Sequence, residues 1–187
     1  MRSTAEACGD GAVPIACDVT DEAAVLEACA TVRSRLGPAD HVIACAGIGR
    51  YAPFLDLAPA DWRRMFETNV MGSVLIARAV LPDMRTRGRG TIVLVGSRRG
   101  LEPKSGTTAY SASKAAVLAL ARALADEVGI AGVKVCYVAP GGTKTGLATP
   151  KDPRFLEPAA VAEAIAFVCE SGADTWVRDL TVLPLGL

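Results

Sequence analysis

The chain has 187 residues, of which 51% are hydrophobic and 21% charged, a composition typical of a folded globular protein and too apolar for a disordered one. The 20 lysines and arginines balance 20 aspartates and glutamates, so the formal net charge is zero. We therefore expect no nucleic-acid-binding surface and no contact with a membrane, and charged residues interrupt the apolar stretches before they reach membrane-spanning length. The length predicts a single domain over residues 1–187.

Apolar runs alternate with helical patterns along the chain. This alternation predicts a parallel sheet covered by helices on both faces, which is a doubly wound, three-layer α/β fold. The predicted strands are Ala12–Cys17, His41–Cys45, Thr91–Val95, Val133–Val138 and Val177–Leu183. The predicted later helices are about Asp61–Arg85, Thr108–Val128 and Pro158–Glu170. The proline-containing segment Thr143–Glu157 is interpreted as a long loop, of the kind that often forms a lid.

A first helix is predicted after the strand Ala12–Cys17, and it has clear ends. Thr20 is the candidate N-cap, and Gly37 followed by Pro38 ends the helix. The residues on its apolar face are Val25, Leu26, Cys29, Val32 and Leu36.

The cysteines lie at positions 8, 17, 29, 45, 136 and 169, and no two of them form a C-x-x-C pair. Most lie in apolar runs, which predicts buried, reduced thiols in a cytoplasmic protein and neither disulfides nor a metal site. The only histidine, His41, lies beside a predicted strand and is interpreted as structural.

Tyr110 and Lys114 lie four residues apart in a predicted helix, so their side chains share one face and can act on one site. A free tyrosine has a pKa of about 10 and transfers protons poorly at neutral pH, but a cation within roughly 4–6 Å lowers that pKa. The pair therefore indicates a phenol that transfers protons. The same spacing also arises on ordinary solvated helices, so the pair alone leaves both interpretations open.

Two further polar residues are candidates for a ligand site. Ser97 lies just past the predicted strand Thr91–Val95, and parallel sheets bind ligands at the carboxyl ends of their strands. Its hydroxyl can donate a hydrogen bond to a carbonyl oxygen that becomes negative during reduction. Asn69 lies in an otherwise apolar helix, so its amide either bonds locally or holds an ordered water.

Four segments together resemble the short-chain dehydrogenase/reductase family. They are Asn69–Gly72, Gly90–Gly100, Tyr110–Lys114 and Pro140–Thr145, and the resemblance extends from Cys17–Asp21 to the last predicted strand. The order and spacing of the segments agree with the family. The resemblance implies a Rossmann-like fold and an NAD(P)-dependent oxidoreductase that reduces a ketone or oxidises a secondary alcohol.

The resemblance also implies a role for individual residues. In the family pattern, Ser97 would polarise the carbonyl, Tyr110 would transfer the proton, and Lys114 would bind the nicotinamide ribose and lower the tyrosine pKa. Asn69 would anchor a water in the proton relay. The expected contacts of the cofactor, NADP or NAD, are Asp18 (adenine), Ala46, Gly47, Lys114, Pro140, Gly141, Thr143 and Thr145 (nicotinamide carboxamide).

The start of the chain departs from the family pattern. The family opens with a strand, a Gly-rich turn, a helix and a second strand, whereas this sequence begins at what resembles the third strand. We therefore expect a fold truncated at the N-terminus, with weak cofactor binding. Gly47–Ala52 fits G-x-G-x-x-A, but Pro53 follows it, and we interpret it as the cofactor-lining loop. Ala44 and Cys45 stand where the family usually has two asparagines, and Cys136 stands where another is common.

Two classes of function stay open. The complete catalytic set favours the oxidoreductase, whereas the missing segment favours a cofactor-free protein on the same scaffold, either a non-redox enzyme or a partner subunit. A serine hydrolase is disfavoured, because Gly96–Gly100 is not G-x-S-x-G and only His41 could act as its base.

The sequence also predicts three surfaces. Because buried backbone cannot stay unpaired, we expect Ala12–Cys17, or another chain, to pair with the edge of His41–Cys45.

Arg98 and Arg99 follow Ser97, and we expect either that one faces an acidic substrate group or that both lie on a solvated loop. By resemblance, the long helices form a homodimer or homotetramer, through the apolar residues Val70, Val74, Ala77, Ala115, Leu118 and Ala121.

Overall fold

The computed structural model describes residues 7–9, 11–147 and 152–186. Its centre is a parallel four-stranded sheet in which the strands lie side by side in chain order. The strands are β1 (His41–Ala44), β2 (Gly90–Val95), β3 (Val133–Pro140) and β4 (Asp179–Val182). Four of the five predicted strands are thereby confirmed, with ends that shift by at most two residues.

The helices are α1 (Glu22–Leu36), α2 (Pro59–Phe66), α3 (Gly72–Arg87), α4 (Arg98–Leu101), α5 (Thr108–Val128) and α6 (Pro158–Glu170). A π-helical turn, Glu67–Met71, joins α2 to α3, so the predicted helix Asp61–Arg85 is one continuous run from Pro59 to Arg87. The predicted bounds of α5 and α6 are confirmed, whereas the short helix α4 was not predicted. Single 3-10 turns form at Phe54–Asp56 and Gly129–Ala131.

Side chains alternate along β2 and β3 between the two faces of the sheet. The face covered by α3 and α5 presents Ile92, Leu94, Val133, Val135 and Tyr137. The opposite face presents Val93, Cys136 and Val138, which pack with Val168 of α6. Helices on both faces of a parallel sheet confirm the doubly wound α/β fold.

The predicted strand Ala12–Cys17 does not form. All of its residues are exposed or half-buried and carry no strand pairing. Just after it, Val19 packs against Gly72 at the start of α3, so closely that a Cβ on Gly72 would lie 2.9 Å from Val19 Cγ2. This contact holds the end of the segment against the helix instead of the sheet.

The prediction that Ala12–Cys17 pairs with β1 is therefore wrong. Within the described ranges, β1 pairs only with β2, and His41 and Ile43 on it are exposed. The prediction assumed a buried edge, but water can satisfy the unpaired backbone groups of an exposed one. Coverage of this edge by another chain stays a prediction.

Helix α1 begins differently from the prediction. Asp21 is its N-cap, because its carboxylate accepts the N–H groups of Ala23 and Ala24 at 2.9 and 3.2 Å, while the Thr20 hydroxyl donates to Asp18. Gly37, with φ 87°, ends the helix as predicted.

The apolar face of α1 is only partly covered. Val25 is buried, but Leu26 and Leu36 are 52% and 59% exposed. In the described ranges, no strand lies beside the free edge of β1 to supply a sheet surface for these side chains.

The prediction of buried cysteines is wrong for half of them. Cys8, Cys17 and Cys45 are exposed, Cys136 is buried, and the other two are intermediate. In the described part of the chain, no cluster of three or more His, Cys, Asp or Glu side chains could hold a metal ion. None of the helices in these same ranges combines the length and apolar character needed to cross a lipid bilayer.

The predicted loop Thr143–Glu157 has its centre, residues 148–151, outside the described residues. Its two described ends meet, because Thr143 and Leu156 form an isolated parallel bridge. The prediction of one domain over residues 1–187 stays a prediction.

Candidate active site

The predicted site residues gather mainly at the carboxyl ends of the strands. β1 leads into the loop that holds Ala46 and Gly47, β2 leads to Ser97, and β3 leads to Gly141. Since all the strands are parallel, these segments lie along one edge of the sheet, where α/β proteins bind their ligands. The first turns of α5 bring Tyr110 and Lys114 to the same edge.

Ser97 is buried and is the N-cap of α4. Its Oγ accepts the backbone N–H of Arg99 at 3.1 Å. A hydroxyl that accepts through one lone pair keeps its own proton for donation, so Ser97 can still donate to a substrate oxygen. The cap therefore fixes the position of the oxygen without using its proton.

Tyr110 is buried in the first turn of α5, and its ring packs edge-on against Tyr51 with centroids 5.3 Å apart. Burial raises the pKa of Tyr110. Three weaker interactions lower that pKa: a hydrogen bond with the Ser97 hydroxyl, a hydrogen bond with the Tyr51 hydroxyl and the charge of Arg99. Because the pKa is raised overall, Tyr110 carries its proton at neutral pH and is in the form that can donate it.

Lys114 is buried beside Tyr110, and its Nζ donates to the Val95 carbonyl at 2.8 Å. Burial lowers the pKa of Lys114 to about 8. The groups that act on the Tyr110 pKa in this structure are Ser97, Tyr51 and Arg99, and a lowering of that pKa by Lys114 stays a prediction. The ammonium is instead engaged at the end of β2.

Asn69 lies in the π-helical turn and is 1% exposed. Its Oδ1 accepts the N–H of Ile48 at 2.8 Å, and its Nδ2 donates to the Ile48 carbonyl and to Ser113 Oγ, each at 3.0 Å. These partners are distant in sequence, so Asn69 ties the loop after β1 to α5. Both amide protons are used, which leaves only an Oδ1 lone pair on the side chain for a water. π-Helical turns often mark functional positions.

Gly47 leaves space at the carboxyl edge of the sheet through which a ligand can reach Lys114. A Cβ at this position would lie 3.2 Å from Asn69 Oδ1 and 3.4 Å from Lys114 Nζ. The missing side chain therefore keeps the ammonium open to the loop after β1. A ribose hydroxyl is a suitable partner for such an ammonium, so the residues present fit the nicotinamide end of a dinucleotide.

The other predicted cofactor contacts are less closely grouped. Thr143 and Thr145 lie half-buried after β3, and the Thr143 hydroxyl donates to the Gly141 carbonyl at 3.1 Å. Asp18 is exposed, and its carboxylate accepts from the Thr20 N–H and hydroxyl, which lowers the pKa of Asp18. No hydrogen bond in the described ranges joins Asp18 to the site.

Arg98 and Arg99 lie in α4 and not on the expected loop. Arg98 Nε forms an ion pair with Glu102 at 2.8 Å. The Arg99 guanidinium donates to the Glu102 carbonyl at 2.9 Å, and its charge acts on both Tyr51 and Tyr110. The structure thus separates the two arginines, and Arg99 is the one close to the reacting groups.

The sequence did not predict roles for Tyr51, Ser113 or Tyr137. Tyr51 follows the loop after β1, and an aromatic residue there could have been noted as a possible neighbour of the ligand. Ser113 lies within the Tyr110–Lys114 segment, and its hydroxyl joins Asn69 Nδ2 to the Tyr110 carbonyl. Tyr137 gave no signal, because an aromatic residue in a buried strand usually only fills the core.

The geometry rules against a serine hydrolase that uses His41. In the parallel register, His41 pairs with Thr91 at the amino end of the sheet, six residues before Ser97. At about 3.3 Å per strand residue, the two side chains lie roughly 20 Å apart along the strands.

The fold and these contacts define an α/β enzyme with a phenol, a hydroxyl and an ammonium at its ligand-binding edge. The family model for short chain dehydrogenase matches residues 1–154. The chain belongs to the short-chain dehydrogenase/reductase family, and its similarity to named oxidoreductases supports an NAD(P)-dependent oxidoreductase.

Similar proteins extend the match along nearly the whole chain. Carbonyl reductase family member 4 of Danio rerio is 36% identical over 181 residues, which cover 91% of this chain and 76% of that protein. Serine dehydrogenase of Escherichia coli superposes with a TM-score of 0.89 at 29% identity and covers 100% of this chain and 82% of its own. A 3-ketoacyl-(acyl-carrier-protein) reductase of Brucella melitensis, solved with NADH, has a TM-score of 0.89 at 28% identity, with 97% and 81% covered.

Proposed function

We propose that the chain interconverts a ketone and a secondary alcohol with NADP or NAD, using Ser97, Tyr110 and Lys114 as catalytic residues. The observation that supports this most is the meeting of a buried serine hydroxyl, a protonated phenol and a buried amine at one edge of a parallel sheet. The cofactor, when bound, supplies or accepts a hydride. The residues of the chain supply the proton and the orientation.

In the reducing direction, the Ser97 hydroxyl donates a hydrogen bond to the substrate carbonyl oxygen. Negative charge grows on that oxygen, and the hydrogen bond becomes stronger as it does. Tyr110 then gives its proton to the same oxygen, and its raised pKa keeps that proton available at neutral pH. The oxidising direction requires the Tyr110 phenolate, so we expect alcohol oxidation to become faster as pH rises.

Lys114 and Asn69 hold the other parts of the site. Lys114 presents its ammonium beside Gly47, where it would bind a ribose hydroxyl of the cofactor. Asn69 fixes the backbone of Ile48, and with it the loop that would line the nicotinamide. Gly141, Thr143 and the remaining predicted contacts complete the proposal for the cofactor, and a water held by Asn69 stays part of it.

Substitution of Tyr110 tests this proposal. We expect Tyr110→Phe to lower turnover of a small ketone by about 100-fold or more, because a positioned proton donor typically contributes that much. Turnover is measured as oxidation of NADPH and of NADH, each in separate assays. Tyr51→Phe is the matched variant, since it removes a neighbouring hydroxyl and leaves the Tyr110 proton, and its loss should be smaller. Equal turnover of wild type and Tyr110→Phe would contradict the proposal.

A homo-oligomer formed through the long helices is also proposed, but on fewer residues than the sequence indicated. Ala77 and Ala121 are buried within the core of one chain and are not available to a partner. Val74 and Ala115 are only half-buried and remain candidates. Light scattering at about micromolar concentration should find a dimer or tetramer, and a monomer would contradict this part of the proposal.

A further inference from the structure

Tyr137 lies in the middle of β3 and is 1% exposed within the core cluster under α3 and α5. Its hydroxyl is the polar atom in an otherwise apolar group of side chains. A phenylalanine would fill the same space without a polar group to satisfy. The role of this hydroxyl is therefore indicated by its partners.

All of these partners are backbone atoms of Ser97 and Lys114, two of the proposed catalytic residues. The Tyr137 hydroxyl accepts the Ser97 N–H at 3.1 Å, and it lies 3.0 Å from the Ser97 carbonyl and 3.3 Å from the Lys114 carbonyl. Its single proton is shared between these two carbonyls. The hydroxyl thus links the end of β2 to the first turns of α5.

Two glycines make the space for this link. A Cβ at Gly96 would overlap the Tyr137 ring, and a Cβ at Gly100 would lie 2.6 Å from the Tyr137 hydroxyl and 2.8 Å from the Lys114 carbonyl. The glycines on either side of Ser97 therefore allow the ring and α4 to approach α5 closely.

Lys114 is consequently fixed at both ends by neighbouring strands. Its backbone carbonyl lies against Tyr137 of β3, and its Nζ donates to the Val95 carbonyl at the end of β2. Ser97 is fixed by Tyr137 through its N–H and carbonyl and by the N-cap bond through its Oγ. A shift of Tyr137 would therefore move Ser97 and Lys114 relative to each other.

We infer that Tyr137 is a positioning residue, whose buried hydroxyl fixes the distance between the Ser97 hydroxyl and the Lys114 ammonium. The inference rests on the proposed function for its kinetic consequence. The Tyr137 hydroxyl bonds to backbone atoms of Ser97 and Lys114, so we expect its removal to lower the rate of the reaction more than it weakens binding of the ketone. Misplacement of reacting groups by about 1 Å can lower a rate by about 100-fold.

Tyr137→Phe tests the inference, because it keeps the ring and removes only the hydroxyl. We expect kcat for ketone reduction to fall by about 10- to 100-fold, with the KM of the ketone within about threefold of wild type. The matched control is Val128→Ala, which opens the same apolar cluster at the far end of α5 and destabilises the fold. The control should retain wild-type kcat at temperatures well below its Tm.

Amide hydrogen exchange by NMR gives a second readout that needs no turnover. The Ser97 N–H donates to Tyr137, whereas the N–H of its neighbour Gly96 donates to the Val138 carbonyl at 2.8 Å. In Tyr137→Phe we expect Ser97 to exchange about tenfold faster or more, with Gly96 unchanged.

Unchanged Ser97 exchange would overturn the inference. So would a wild-type kcat in Tyr137→Phe, or an equal loss of kcat in Val128→Ala, since the effect would then be one of stability alone. If the wild-type chain shows no turnover, the proposed function fails. The amide hydrogen exchange rate of Ser97, compared with that of Gly96, then decides alone whether Tyr137 holds the backbone of Ser97.

Discussion

The central strands of the sheet and its edge strand β1 differ in how completely they are packed. The central strands β2 and β3 are buried, and the catalytic candidates beside them have hydrogen-bond partners within the chain. On the side of β1, the edge strand is exposed at alternate residues, and Leu26 and Leu36 of α1 lie largely in solvent. The same chain thus combines a well-ordered proton-transfer site with an open sheet edge.

This difference indicates that the positions of Ser97 and Lys114 do not depend on the β1 edge. Ser97, Lys114 and Tyr137 are linked to one another through β2, β3 and α5. The residues that would hold the far end of a dinucleotide are fewer, because Asp18 is exposed and its carboxylate accepts from Thr20. We therefore expect changes near β2 and β3 to affect stability and catalysis, and the β1 side to limit cofactor affinity.

A matched pair of isoleucines on neighbouring strands tests the difference in packing. Ile92 of β2 is fully buried, whereas Ile43 of β1 is 43% exposed. We expect Ile92→Ala to lower the free energy of unfolding by about 2–5 kcal/mol and Ile43→Ala by less than about 1 kcal/mol. Urea denaturation measures both values. Similar losses would show that the β1 side is covered in solution, as by another chain.

Lys114→Met tests the cost of placing an ammonium in the buried site. We expect turnover to fall by about 100-fold or more, because the ammonium orients and stabilises the reacting groups. We also expect the variant to be more stable than wild type at neutral pH by about 1–3 kcal/mol. Burial lowers the pKa of Lys114 to about 8, so the folded state disfavours its charged form, while loss of the bond to Val95 offsets part of the gain.

The pH dependence of this stability has a definite sign. An unfolded lysine has a pKa of about 10.4, so between about pH 8 and that value the unfolded chain binds more protons than the folded one. The stability of wild type relative to Lys114→Met should therefore increase with pH across this window and stay constant below it. Denaturation at neutral and at alkaline pH checks this, and a difference that does not change with pH would contradict a lowered lysine pKa.

Cofactor titration tests the β1 side directly. The residues predicted to contact the cofactor would address its ribose, carboxamide and adenine, and charge-assisted hydrogen bonds to a pyrophosphate contribute about 1.5–3 kcal/mol each. If these are the contacts that hold the cofactor, we expect NADPH and NADH to bind about 100-fold more weakly than at a site that also holds the pyrophosphate, in the high-micromolar range or above. Calorimetry measures the Kd. Tight binding would reveal a phosphate site elsewhere on the chain.

Substitution of Arg99 tests the recognition of acidic substrates, and it has the smallest expected effect of these predictions. Its charge acts on Tyr110 and Tyr51, whereas Arg98 is engaged with Glu102. We expect Arg99→Ala to raise the KM of a keto acid by about tenfold and to leave that of its methyl ester unchanged. Arg98→Ala is the control and should change neither value. Equal effects on acid and ester would dismiss a role in recognising anions.

Much of the fold could be predicted because its determinants are local. The bounds of α5 and α6 and four of the strands follow from apolar periodicity and from Pro158, which begins α6. The segment Ala12–Cys17 could not be assigned in this way, because its apolar pattern shows only that it could pair. Whether it pairs depends on a neighbouring strand, and Val19 is instead held against Gly72.

The sequence predicted which residues form the candidate site, but it did not predict the hydrogen bonds and pKa shifts among them. The spacing of Tyr110 and Lys114 places both at one edge, but it does not show that Lys114 bonds to Val95 or that burial raises the Tyr110 pKa. These depend on contacts between residues that are far apart in sequence. The same is true of Tyr137, whose hydroxyl partners become apparent only when β2, β3 and α5 are assembled.

The central claim is that a complete proton-transfer site operates here even where cofactor binding is weak. Its most direct test is a single-turnover reaction with a small ketone at about millimolar NADPH, which offsets a weak Kd. We expect NADPH oxidation that is slower when the transferred hydrogen is deuterium and that is nearly abolished in Tyr110→Phe. A folded chain that binds NADPH but oxidises none, or a rate unaffected by Tyr110→Phe, would contradict the claim and favour a cofactor-independent role for this scaffold.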